Sequence, residues 1–228
     1  MGRYKIFALI RRRIDLSSQE FHDHYRHPHA TFGMNMSTLR GYVQSHQFTS
    51  RHLSGRQDEF EAVAELWLDN EEDVRTFREE RNVIAHILPD EPKFMDVGAL
   101  KVLAAEEEVI ASGPDPQFFQ DEGDQAWSEA SRPTSIKLLQ FIHNAYDAEW
   151  ISPEDKALGL SIGALRHVRC HPWRLIAADP PYAGVRELWW PTLTAFEQGI
   201  ARHPIAWEKI RGETSHSTSM LVQAERFL

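Results

Sequence analysis

The sequence predicts an α+β fold built from two consecutive βαββαβ repeats of ferredoxin-like order. Three observations lead there. Short apolar segments and helical patterns follow one another as β-α-β-β-α-β over residues 5–103. The same order returns after Pro133. The two halves also share literal motifs, Leu39-Arg40 with Leu165-Arg166 and Glu65-Leu66-Trp67 with Glu187-Leu188-Trp189. A period near 125 residues marks the duplication of a whole domain rather than a solenoid.

Each element has its own local reason. Residues 5–11 (KIFALIR) are short, apolar and partly β-branched, and read as a strand. Ser17 and Glu20 stand at capping-box spacing, so a helix starts there. Phe21, Tyr25, Pro28 and Phe32 share its inner face, and Pro28 predicts a break near His27. Residues 39–48 and 60–68 are strands joined by a polar loop containing Gly55. Residues 71–81 read as the second helix, with Val74, Phe77 and Ile84 on one side, and residues 98–103 as the fourth strand. In the second half, residues 136–143, 165–170, 185–190 and 220–225 are strands, and residues 151–160 and 192–202 are helices.

Three segments follow: a first repeat over 1–104, a linker over 105–134, and a degenerate second repeat over 135–228. Between residues 104 and 131 there are eight acidic residues and no lysine or arginine, and Gly113-Pro114-Asp115-Pro116 breaks regular structure. Phe118, Phe119 and Trp127 in this stretch have two readings, a tether in solvent or a partial cover for an opening.

Composition excludes several functions. A net charge of −9 argues against nucleic acid or an anionic membrane surface as partner. No apolar run approaches the roughly 20 residues of a membrane span. Cys170 is the only cysteine, which rules out an intrachain disulfide and fits a reducing, cytoplasmic location. Phosphate-binding Gly-rich loops and paired-cysteine metal motifs are missing, so neither a cofactor nor a metal is expected.

Histidines are the candidate chemistry. His22, His24, His27 and His29 crowd one helix, but no carboxylate completes a recognised ligand set. His27 is assigned to the polar face, whereas His24 and His29 flank the apolar stripe on opposite sides, where an imidazole can move protons. On the second strand Arg40, Tyr42, Gln44 and His46 share one face. That face looks either at solvent or into an enclosed space, where it makes a hydrogen-bonding wall for an oxygenated substrate. His52, in the next loop, is expected at the mouth of the same space. Arg40 with Glu65, and Arg166 with Glu187, recur in both halves and are expected to form structural ion pairs.

The first half resembles the EthD-like branch of the dimeric α+β barrel superfamily. The resemblance rests on Leu9-Ile10, Ser17-x-x-Glu20-Phe21, His24-Tyr25, His29-Ala30, Leu39-Arg40-Gly41-Tyr42-Val43-Gln44, Val63-Ala64-Glu65-Leu66-Trp67 and Asp90-Glu91-x-x-Phe94. It covers residues 4–104. It implies an intramolecular dimeric α+β barrel, closed by the two repeats of one chain, with a homodimer through the outer surfaces still open. It also implies that His29 is the proton-transferring residue, with Tyr42 and His46 beside it. His24, Gln44, His52, Trp67 and Trp189 are then expected to contact a small-molecule substrate in the lumen. The function expected is cofactor-independent proton transfer, of isomerase, cyclase or lyase type, on a small cyclic or aromatic-derived catabolite. Two other readings stand beside it: a haem-binding barrel, and a non-catalytic ligand-binding accessory protein.

Overall fold

The computed structural model describes residues 4–53, 57, 59–113, 128, 132–143, 150–173, 179–213 and 217–228. Gly55, Phe118, Phe119 and Trp127 lie outside them.

Eight strands form one closed antiparallel barrel. They are β1 (Tyr4–Ile10), β2 (Gly41–Gln47), β3 (Ala62–Leu68), β4 (Lys101–Ser112), β5 (Thr134–Ile142), β6 (Arg166–Pro172), β7 (Gly184–Trp190) and β8 (Ser217–Arg226). The order round the barrel is β1-β3-β2-β8-β5-β7-β6-β4. Each repeat therefore contributes a four-stranded sheet in the order 4-1-3-2, and β2·β8 and β4·β6 close the seams. Closure leaves no open sheet edge. β4 runs to Ser112, so the tether expected from residue 105 begins within a strand, and Val97–Ala99 is a 3₁₀ turn.

The helices cover the outside of the barrel. Ser17 caps α1 (Ser18–His24), and its reciprocal contact with Glu20 completes the capping box. The chain then passes through a π-turn at Tyr25–His29 into α2 (Ala30–Gly33), with the break at His27, whose backbone is extended. α3 (Glu71–Thr76) is followed by a 3₁₀ turn at Phe77–Glu79, a π-turn at Val83–Ile87 and α4 (Leu88–Phe94). Ile84 is 55% exposed, so it leaves the inward side expected of it. The second repeat adds α5 (Asp155–Ser161), α6 (Leu193–Arg202) and α7 (Pro204–Glu213), the last without an expectation in the sequence.

The lumen is a filled core rather than a cavity. Phe7, Leu9, Val63, Leu103, Leu139, Phe141, Val168, Val185 and Met220, drawn from both repeats, form one buried cluster. At its centre Lys5 pairs with Glu65 at 2.6 Å and with Glu187 at 2.5 Å. Lys137 pairs with Glu187 at 2.6 Å and also with Glu65. β1–β3 and β5–β7 stand in opposite repeats, so Lys5–Glu187 and Lys137–Glu65 cross the interior, while Lys5–Glu65 and Lys137–Glu187 join neighbouring strands of one sheet. Lys5 lies 4.2 Å from the Trp67 ring centroid, and Lys137 3.8 Å from that of Trp189. Burial alone would lower the Lys5 ammonium, but Glu187 and Glu65 raise it well above the lysine range. Burial would raise the Glu187 carboxyl, but Lys137 and Lys5 hold it well below the carboxylate range.

Three expectations are corrected by this core. Arg40 does not meet Glu65; it lies at the surface on Asp69, at 2.5 Å. Arg166 approaches Glu107 at 3.9 Å rather than Glu187. The literal match of Leu39-Arg40 with Leu165-Arg166 is one residue out of register, because Gly41 and Arg166 pair with the equivalent Trp67 and Trp189. His167 therefore stands at the place of Tyr42. A one-residue slip moves every side chain to the other face.

Candidate functional site

β2 is buried on both faces, and its parity decides where its polar residues go. Val43 joins the lumen cluster with Trp67 and Trp189, and the Ser45 hydroxyl donates to Glu65 at 2.6 Å. Tyr42, Gln44 and His46 consequently point outward, beneath the helices. The lumen wall expected of them is not formed, and Trp67 and Trp189 pack on the lysines on the opposite side of the sheet. Trp67 and Trp189 therefore share no pocket with the helical histidines.

The space that exists lies between the outer face of the first sheet and its helices. Ile6 and Ile10 of β1, Tyr42 of β2, Leu66 of β3 and Val102 of β4 form its floor. His29, Gly33, Phe77, Val83, Ile87 and Glu91 close it from above. It encloses about 70 Å³ and widens to about 620 Å³ with the space of its open mouth. A Cβ at Gly33 would stand 2.7 Å from Tyr42 Cε1, so glycine there lets α2 settle against the tyrosine ring.

His29 is the polar group best placed for chemistry. It is 7% exposed, and its Nδ1 lies 3.0 Å from Asp90 Oδ2 on α4. His24 Nε2 lies 3.0 Å from Asp90 Oδ1, and Lys93 Nζ 3.2 Å from the same oxygen. Burial would raise the Asp90 carboxyl, but the hydrogen bonds of His29, His24 and Lys93 hold it down, to about 2. An ionised carboxylate only accepts hydrogen bonds, so His29 Nδ1 and His24 Nε2 must both carry hydrogen. Neutral His29 is thereby fixed with its lone pair on Nε2, and that ring borders the recess. The arrangement is an imidazole base oriented by a carboxylate.

The break at Pro28 makes the convergence possible. Residues five apart on a regular α-helix diverge by about 140° and could not meet one carboxylate. The wider π-turn brings His24 and His29 to the same side. The expected break near His27 takes the form of a π-turn, which sets the two histidines on one side rather than on opposite sides. His27, as expected, is exposed, with Nδ1 3.1 Å from Thr31 Oγ1.

The other expected residues are distributed differently. Tyr42 borders the recess with His29, and its hydroxyl accepts from Gln44 Nε2 at 2.7 Å. Burial raises the Tyr42 phenol above its ordinary range, so it stays protonated. Gln44 also donates to the Tyr25 carbonyl at 2.7 Å and supports the tyrosine from behind. His46 lies outside the recess, with Nδ1 2.8 Å from His22 Nδ1. Burial, then Arg26 and His22, push the His46 imidazole down to about 2. His52 packs against Phe196 of α6 and lies 3.8 Å from Glu197, in the second repeat's helical layer.

Two residues here were not singled out as site residues. Asp90 orients His29, and Glu91 holds Arg78 at the mouth through contacts of 3.2 and 3.3 Å. Both stand in the Asp90-Glu91-x-x-Phe94 motif, which was the available signal.

Among the described residues, Glu107, Cys170 and Glu187 bring three potential metal-ligand atoms within 4.8 Å of one another. Lys5 already supplies the cation there, 3.4 Å from Glu107 and 2.5 Å from Glu187. No helix among the described residues is long and apolar enough to cross a membrane.

Comparison with known proteins agrees with this architecture. An anthrone oxidase-like protein superposes over 100% of this chain and 92% of its own, with a TM-score of 0.59 at 10% identity. An ethyl tert-butyl ether D (EthD) family protein from Bacillus halodurans matches 46% of this chain and 98% of its own, at 24% identity and a TM-score of 0.39. A chlorite dismutase from Candidatus Nitrospira defluvii covers 97% and 91%, at 15% identity and a TM-score of 0.46. The first of these establishes the fold and nothing further. No curated protein sequence matches the chain. The EthD domain model matches residues 13–98, the stretch that carries His24, His29, Tyr42 and Asp90. The chain is thus a closed α+β barrel whose first repeat is similar to the EthD domain over residues 13–98.

Proposed function

We propose that the chain is a cofactor-independent enzyme that moves a proton on a small, largely apolar, oxygenated cyclic substrate. The reaction is of isomerase, cyclase or lyase type, and it takes place beneath the helices of the first repeat. The observation that carries this reading is the Asp90–His29 contact of 3.0 Å at the edge of an apolar recess. His29 Nε2 takes a proton from a carbon next to a carbonyl, and the Asp90 carboxylate steadies the imidazolium that forms. The Tyr42 hydroxyl, still protonated, donates to the carbonyl oxygen as negative charge collects on it. His29 then returns the proton at the second position. The electron pair of the broken C–H bond passes into the enolate and back, so no oxidant or reductant is consumed. The apolar walls favour a hydrophobic ring and hold back water, which strengthens both contacts.

The test uses 2-tetralone, an enolisable bicyclic ketone, in heavy water. The protein should speed deuterium uptake at its α-carbons, and His29→Ala should lower that rate by about 10² or more. Exchange no faster than in buffer, or equally fast with His29→Ala, contradicts the reading.

A further inference from the structure

The recess bordered by His29 has a neighbour that shares part of its wall. A second hollow of about 180 Å³ lies on the next stretch of the same sheet face, and Ile6, Phe77 and Val102 are walls of both. Its far side comes from the other repeat. Trp173, just after β6, and Pro180 and Pro181, ahead of β7, face Val74 and Ala104 across it. Trp173 is well anchored. Its backbone N–H donates to the Ala104 carbonyl at 2.8 Å, and its ring centroid lies 4.8 Å from that of Tyr4. The Arg75 guanidinium stands 5.7 Å from the same ring.

We infer that this hollow is the outer compartment of the substrate site, receiving the distal rings of a flat polycyclic substrate, with Trp173 as the residue that selects for them. The inference rests on the recess being the reaction site, and it deepens that reading. Size is the first argument. The inner recess encloses about 70 Å³, whereas a cavity of about 150 Å³ is known to hold a single benzene. A cyclic substrate therefore extends beyond it, and Phe77 is the shared side chain on the helical side that borders both spaces. Chemistry is the second. An indole ring and two prolines present flat apolar surface, on which an aromatic ring gains both burial and ring–ring contact. The third is the asymmetry of the chain. In the second repeat the space beneath the helices is occupied by Leu188, Trp190, Phe196, Ile200 and Trp207. That repeat keeps a filled core of its own and lends a wall to the site of the first.

Calorimetric titration of the full chain with phenol, 2-naphthol and 9-phenanthrol tests this. Affinity should rise by about 10-fold or more for each added ring, each tenfold being about 1.4 kcal/mol. Trp173→Ala should weaken 9-phenanthrol by about 10-fold or more and leave phenol within about 2-fold. Ala104→Phe, which fills only the outer hollow, should do the same without removing an aromatic. His29→Ala should keep the preference for larger rings, which separates ring selection from the proton-transfer reading. The inference is overturned if 9-phenanthrol fails to bind or binds no better than phenol. It is equally overturned if folded Trp173→Ala and Ala104→Phe proteins both retain the preference.

Discussion

Asp90 on α4 and His29 at the end of the π-turn stand 61 positions apart, yet Asp90 Oδ2 lies 3.0 Å from His29 Nδ1 in a buried contact. The second oxygen of the same carboxylate is taken by His24. One side chain thus ties the broken first helix to the last helix of the repeat and fixes which nitrogen of His29 carries hydrogen.

Asp90→Asn should therefore damage chemistry more than folding. An amide can present an N–H to His29 and favour the wrong tautomer, so deuterium exchange should fall by about 10²–10⁴. Acid stability should also change. The Asp90 carboxyl is held below its ordinary 3.8, at about 2, in the native state. Its contribution, on the order of 2 kcal/mol, is complete above the unfolded value and is lost as pH falls through about 2. Melting curves between pH 5 and 2 should show this loss in the parent and not in the Asn variant.

His46 shifts stability in the same direction, over a higher pH range and without a part in the chemistry. Its imidazole stays neutral down to about 2 in the folded chain, whereas an unfolded histidine takes up a proton near 6.5. The unfolded state binds more protons over that interval, so stability falls with pH by up to about 1.4 kcal/mol per unit. His46→Gln can keep a hydrogen bond to His22 and should flatten this slope between pH 6.5 and 4.5, by about 2 kcal/mol in all. Because His46 lies outside the recess, exchange activity should stay within about 3-fold. A large loss of activity with unchanged stability would bring His46 back into the reaction.

The lumen ion pairs give a different signature. Lys137→Met leaves two fully buried carboxylates sharing one lysine and should cost about 3–5 kcal/mol in denaturant unfolding. The double change Lys137→Met with Glu187→Leu keeps the remaining Lys5–Glu65 pair balanced and should recover most of that loss. A single variant as stable as the parent would show that the pairing is energetically idle.

Much of this architecture is legible in the residues. The Ser17–Glu20 box starts α1, Pro28 breaks the chain at His27, and the recurring Glu-Leu-Trp strand marks the duplicated sheet. The direction of β2 is not legible. Both its faces are buried, one in the lumen and one beneath helices, so alternation of polar and apolar residues cannot tell them apart. The lumen ion pairs are hidden for a related reason: Lys5 meets Glu187 and Lys137 meets Glu65 only when the two repeats come together. Asp90 escapes because its partners lie on another helix, and their meeting depends on a π-turn that helical periodicity does not encode.

The orientation of His29 can be measured without a substrate. Nitrogen-resolved NMR of the histidine side chains reports which ring nitrogen bears hydrogen. At a pH where His29 is neutral, its hydrogen should reside on Nδ1, with Nε2 showing the signal of a bare lone pair, and Asp90→Asn should remove that bias. Hydrogen on Nε2, or an even mixture unchanged by Asp90→Asn, would contradict an oriented base at this recess.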